Sequence, residues 1–206
     1  MTGRLSRSIG IFALAFGTLL GATANPAAAA RIEATASTFI GAPLDVLLTV
    51  DDGIDPGKLV MTLEVTGPNG TLADLIGFLA HVNDESLLPG LSITGPDVSD
   101  VEILANQIGG PGGRSPCYCD LGFDLGTPGI LQDDLRAVTF TIAHATQALD
   151  LSFLLGRSFG VDAGSVGPNR DRPSRLVGVV PEPGTALLMG LGLAGLASVR
   201  PARPRD

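Results

Sequence analysis

Between residues 44 and 65 the chain alternates with a period of two. Leu44, Val46, Leu48 and Val50 are separated by Asp45, Leu47, Thr49 and Asp51, and Leu59, Met61, Leu63 and Val65 alternate with Lys58, Val60, Thr62 and Glu64. In an extended chain successive side chains point to opposite faces, so this spacing predicts two strands with one face buried. The signal recurs at Val138, Phe140 and Ile142, at Leu149, Leu151, Phe153 and Leu155, and at Phe159 and Val161, while Ser174 to Val180 predicts a last strand. Asp51-Asp52-Gly53, Gly67-Pro68-Asn69-Gly70 and the Gly109 to Gly113 run are turn or loop signals, and the polar stretch Gly164 to Pro173 is expected to join the last two strands. Leu72, Leu75, Ile76 and Leu79 fit a helix. Leu72, Ile76, Phe78, Ala80 and Val82 fit a strand if Asp74 is tolerated on its inner side, and the neighbouring strands favour that reading. Many short strands with turns between them predict an all-β fold, a single β-sandwich of jelly-roll-like or Greek-key topology.

Both ends break this pattern. Arg4 and Arg7 precede an uncharged run from Ile9 to Leu20, followed by small residues. That is the architecture of a secretory signal peptide over residues 1–30, with cleavage after Ala24 or after Ala30. At the other end Val180-Pro181-Glu182-Pro183-Gly184 is followed by an apolar segment, Thr185 to Val199, and then by Arg200, Arg203 and Arg205. The prolines cannot donate backbone hydrogen bonds and keep the residues before them extended, open to an enzyme's cleft. A helix over 185–199 rises roughly 22 Å at about 1.5 Å per residue, short of a hydrocarbon core of about 30 Å. Its Gly190, Ala194 and Ala197 form a small-residue face that another membrane helix can approach closely. The arginines hold the far end on the cytoplasmic side. Signal and hydrophobic helices are thus expected to flank a single ectodomain, residues 31–180, with a tail over 181–206.

The three parts of that tail, in this order at the C-terminal end, resemble the PEP-CTERM tail of exported bacterial proteins. The resemblance implies processing by an exosortase-like membrane enzyme, delivery through the general secretion machinery and signal peptidase, and transient residence in the inner membrane. The destination it implies is the cell surface or extracellular matrix of a Gram-negative bacterium, with exopolysaccharide as a potential associate. Leu75-Ile76-Gly77-Phe78, Phe123-Asp124-Leu125-Gly126, Asp133-Asp134-Leu135, Val138-Thr139-Phe140-Thr141 and Ser165-Val166-Gly167 are similar to strings in uncharacterised ectodomains that carry such tails, which implies a β-rich surface module.

Residues 31–180 hold 19 Asp and Glu against 8 Lys and Arg, a net charge of −11. Nucleic acid is not an expected partner, because phosphate binding needs clustered basic residues. Cys117 and Cys119 flank Tyr118. In an oxidising compartment they read as a local disulfide, which requires the backbone to turn there, or as two reduced thiols. Two thiolates without histidines nearby leave a zinc site incomplete. Asp51, Asp52 and Asp55, the Asp97 to Glu102 stretch and Asp133-Asp134 are candidates for calcium, although none has EF-hand spacing and such carboxylates also cap turns. No cofactor is otherwise implied. His81 and His144 sit in apolar surroundings without a G-x-S-x-G elbow or an H-E-x-x-H helix, so no catalytic residue is assigned. The expectation is an exported, non-enzymatic surface protein. The rivals are a calcium- or polysaccharide-binding module and a secreted hydrolase with paired carboxylates hidden among the aspartates.

Overall fold

In the computed structural model, residues 30–67, 72–109, 117–127 and 133–182 are described. Ala24, Pro183, Gly184, the 185–199 segment, Arg200, Arg203 and Arg205 lie outside them, as do the two flanking helices expected from the sequence. Among the described residues no helix is long and apolar enough to cross a membrane.

The alternating segments form strands as their spacing requires. β2 (Asp45–Asp51) buries Val46, Leu48 and Val50, β3 (Leu59–Val65) buries Leu59, Met61 and Leu63, and β8 (Ala137–His144) buries Val138, Phe140 and Ile142. The other strands are β1 (Arg31–Gly41), β4 (Asp74–Ala80), β5 (Leu91–Thr94), β6 (Val98–Ile108), β7 (Cys119–Leu125), β9 (Ser158–Val166) and β10 (Arg172–Val179). The final strand ends at Val179, one residue before the expected Val180, and the turn before it is shorter than Gly164 to Pro173, since β9 runs to Val166 and Arg172 already pairs with it.

The protein is all-β, and its ten strands form one antiparallel sheet in the order β5-β8-β3-β2-β1-β10-β9-β4-β7-β6. The sequence led us to expect two stacked sheets. Instead the ladder is continuous, because β1 is shared: Arg31 to Ser37 pair with β2, and Ser37 to Gly41 pair with β10. A bulge between Thr38 and Ile40 marks the change of partner. Thr38 Oγ1 secures it by accepting from Leu44 N at 2.7 Å and lying 3.2 Å from Ser174 Oγ. The sheet then curls until its two end strands, β5 and β6, touch, giving a nearly closed barrel. One main core fills it. Phe140 of β8 meets Phe78 of β4 at 5.3 Å and Phe123 of β7 at 4.8 Å between ring centroids, so opposite walls interlock through aromatic rings.

Two segments depart from their sequence pattern for local reasons. β4 is a strand, but a bulge between Leu75 and Gly77 makes its core residues Leu75, Phe78 and Ala80. One step of three inside a period of two imitates a helical spacing. Asp74 is buried, and its Oδ1 accepts from Leu135 N at 3.0 Å. The alternation at Leu149, Leu151, Phe153 and Leu155 is not a strand. It is a single 3-10 turn, Leu151–Phe153, capped by Asp150, which accepts from Ser152 N at 2.9 Å. Leu149, Leu151, Phe153 and Leu154 are buried there. The cap fixes a turn that periodicity alone does not distinguish from a strand.

Candidate functional site

The face of β9, β4 and β7 turned away from the main core carries three transverse rows. Phe159, Val161 and Ala163 of β9 and Leu121, Phe123 and Leu125 of β7 point inward, so the residues between them point outward. Strand register aligns Arg175 with Asp162, Asp162 with Gly77, and Gly77 with Asp124. The next row is Gly160, Leu79 and Gly122. One step further, His81 faces Asp120.

The first row is electrostatically loaded. Arg175 Nε lies 3.4 Å from Asp162 Oδ1, and the Asp162 side chain is 3% exposed. Burial pushes Asp162 up to about 6; Arg175 opposes that rise, and Asp124 adds to it. Asp124 is itself raised, by burial first and then by Asp100 and Glu102. Gly77 leaves the row open, since a β-carbon there would stand 3.7 Å from Asp162 Cβ and 4.0 Å from Asp124 Oδ1. Beside it lies a shallow anionic cleft of about 220 Å³ lined by Gly77, Asp100, Glu102, Ile108 and Asp124 among others. Asp100 reaches it from a bulge in β6, where its φ is 44°. Such a cleft concentrates cations.

The middle row is apolar. Ile108, at the end of β6, lies over Gly122, where a β-carbon would come within 2.7 Å of Ile108 Cγ2. Leu79, Ile108 and Cys119 make a second small core outside the barrel, with Cys117 packed against it.

The third row is tied by Asp120. Its buried carboxylate accepts from Val82 N at 2.9 Å through Oδ2 and from Asn106 N at 2.7 Å through Oδ1, while His81 Nδ1 lies 3.2 Å from Oδ2. A carboxylate accepts here, so Nδ1 of His81 donates, and in the neutral ring Nε2 carries the lone pair. Cys117 and Cys119 are joined in a disulfide with their Cα atoms 5.2 Å apart, at the point where the chain enters β7. A ring nitrogen of His81 and the two sulfurs all lie within 4.8 Å of one another. The histidine that the sequence placed far from these cysteines stands beside them.

Of the candidate calcium residues, Asp51, Asp52 and Asp55 are engaged locally. Asp51 Oδ1 accepts from Gly53 N and Ile54 N, Asp52 Oδ1 from Ala30 N, and Asp55 pairs with Lys58 at 2.7 Å. Asp97 lies in the turn before β6, Val98 to Glu102 begin that strand with Asp100 and Glu102 on the anionic cleft, and Asp134 pairs with Arg170. His144 ends β8, where its Nδ1 accepts from Thr146 N and Gln147 N. Asp120, Asp124 and Asp162 were not singled out as site residues. Their only sequence signal is an aspartate within an apolar strand segment, as in Leu121-Gly122-Phe123-Asp124-Leu125 and Val161-Asp162-Ala163.

At the barrel's exit Val180 is buried, donating its N–H to Arg157 O at 2.9 Å and accepting from Gly156 N at 2.8 Å. Pro181 and Glu182 are exposed. Val180, taken from the sequence as the first residue of the sorting motif, is therefore also the last residue of the core. Ala30 stands at the opposite boundary, immediately before β1. No curated protein and no solved structure matches the chain. Residues 179–203 match the PEP-CTERM protein-sorting motif, the mark of an exported bacterial protein sorted by exosortase.

Proposed function

We propose that this chain is a non-enzymatic protein of the cell surface or extracellular matrix of a Gram-negative bacterium, exported by the general secretion machinery and processed by an exosortase-like enzyme at Pro181-Glu182-Pro183. The observation that carries the reading is the continuity of fold and motif: the core closes at Val180 and the matched sorting segment, 179–203, begins at that strand end. With no spacer between them, the barrel sits against the membrane until the tail is removed, and Pro181 is the first exposed residue past the end of the last strand and the buried Val180. The test is the intact mass of the mature protein in its native host. Loss of residues 1–30, or of 1–24, together with the hydrophobic tail is the expected result; a mature form retaining 185–206 would identify a permanent anchor instead.

The anionic cleft formed by Asp100, Glu102 and Asp124 supports a second reading, a surface module that binds a cation such as calcium. Ligand binding to the native state raises stability by about 2.7 kcal/mol at a hundred times Kd. A melting temperature that rises with calcium favours this reading, and one that stays flat across the titration dismisses it.

A further inference from the structure

The corner formed by His81, Asp120, Cys117 and Cys119 has a chemistry that export and sorting do not use. One ring nitrogen of His81 and the sulfurs of Cys117 and Cys119 already lie within 4.8 Å of one another, and rotation of the side chains brings Nε2 to the sulfurs. We propose that reduction of the Cys117–Cys119 disulfide turns this corner into a Cys2His site for one thiophilic divalent ion of the zinc type.

Three observations converge. First, His81 is oriented in advance: Asp120 holds Nδ1 at 3.2 Å, and Asp120 is itself fixed by Val82 N and Asn106 N. Nε2 is thereby left as the donor, in the carboxylate–histidine–metal arrangement that fixes tautomer and raises ligand basicity. Second, the sulfurs are held by structure that does not depend on their bond. Cys119 is buried against Leu79 and Ile108 and pairs across β7 with Ile108 of β6. The disulfide closes a loop with only Tyr118 between its cysteines, so it constrains the unfolded chain little and its reduction leaves the barrel closed. Third, the movement required is small. A tetrahedral ion with Zn–S of about 2.3 Å places its two sulfurs about 3.8 Å apart, a separation that cysteines with Cα atoms 5.2 Å apart reach by side-chain rotation. His81 and Cys117 are only partly buried, which leaves the fourth coordination position to solvent.

The electrons come from a dithiol. Its thiolate attacks one sulfur, its second thiol resolves the mixed disulfide, and two electrons and two protons pass to Cys117 and Cys119 as the dithiol becomes a disulfide. Metal binding then releases the two thiol protons to solvent, and the ion bonds to two thiolates and to neutral His81. Exchange with a disulfide of the same dithiol class, which takes up the two electrons together with two protons from solvent, re-forms the Cys117–Cys119 bond and expels the ion, so the corner holds either a disulfide or a metal.

The full-length chain, reduced with dithiothreitol, freed of it under argon and titrated with cobalt chloride, tests this directly. One equivalent is expected to give intense sulfur-to-cobalt charge transfer and visible tetrahedral d–d bands, both lost on adding zinc chloride. The unreduced chain is expected to give neither. His81→Gln lowers cobalt affinity at least tenfold, Cys117→Ser removes the charge-transfer pattern of two thiolates, and Asp120→Asn weakens binding by roughly tenfold to a hundredfold. Equal binding before and after reduction, no tetrahedral spectrum in the reduced chain, or a reduced spectrum and affinity indifferent to His81→Gln would each overturn the proposal. The comparison of oxidised and reduced wild-type chains involves no substitution, so it decides the matter even if a variant does not fold.

Discussion

Replacing Asp162 by asparagine tests the electrostatics of the outer face. Asp162 lies between Arg175 and Gly77 in the first transverse row, and it titrates at about 6 in the native protein against a reference of 3.8. Between those values the unfolded chain has given up the proton and the native chain retains it. Stability from this group is therefore fully present below the unfolded value and is lost as pH rises through the native one. At 1.36 kcal/mol per pH unit the loss approaches roughly 3 kcal/mol. Asp74 and Asp124, both raised by burial, act in the same direction, and exposed Asp84, lowered by its hydrogen bonds to Ser86, acts in the opposite one. Only a difference between variants isolates Asp162. Asn matches the protonated acid in size and charge, so Asp162→Asn is expected to be nearly neutral at about pH 4. At about pH 7.5 it stabilises the protein by about 3 kcal/mol, because the native value of about 6 already includes the opposing attraction of Arg175. Urea unfolding of residues 30–182, a span holding every strand of the sheet and the whole core, measures both differences. Identical pH dependence in the two proteins, or a variant that loses ground as pH rises, would refute the reasoning.

The barrel's closure and its exit are tested separately. Phe140→Ala removes the ring that joins the walls at 4.8 and 5.3 Å from its neighbours and is expected to cost about 3–5 kcal/mol in urea unfolding; a cost below about 1 kcal/mol would mean that the walls do not interlock through it. Val180→Asp buries a charge at the end of the core and is expected to lower the melting temperature sharply, whereas exposed Pro181→Ala leaves stability within about 0.5 kcal/mol yet leads to accumulation of the unprocessed form on immunoblots. Equal effects of the two on stability would contradict the placement of the fold boundary between them.

The chain's local periodicity was enough to identify β2, β3 and β8 and the all-β class, because one buried face of one strand is a property of seven or eight consecutive residues. Its two ends were readable for a similar reason: charge, apolar length and proline placement are local. β1, β6 and β7 carry no such periodic signal. β1 buries only Ala34 and Ala36, β6 is exposed along most of its length, and β7 is buried on nearly every residue, so none shows clean alternation between large apolar and polar side chains. The bulge in β4 breaks its period so that the segment also fits a helix, and the alternation over 149–155 belongs to a capped turn rather than to a strand. The candidate site was the least legible part. Asp162, Gly77 and Asp124, like His81, Asp120 and the two cysteines, come together only through the register of paired strands, and that register follows the bulges in β4 and β6. Periodicity along one strand decides which side a residue faces, but only closure of the whole sheet decides which distant residue stands beside it.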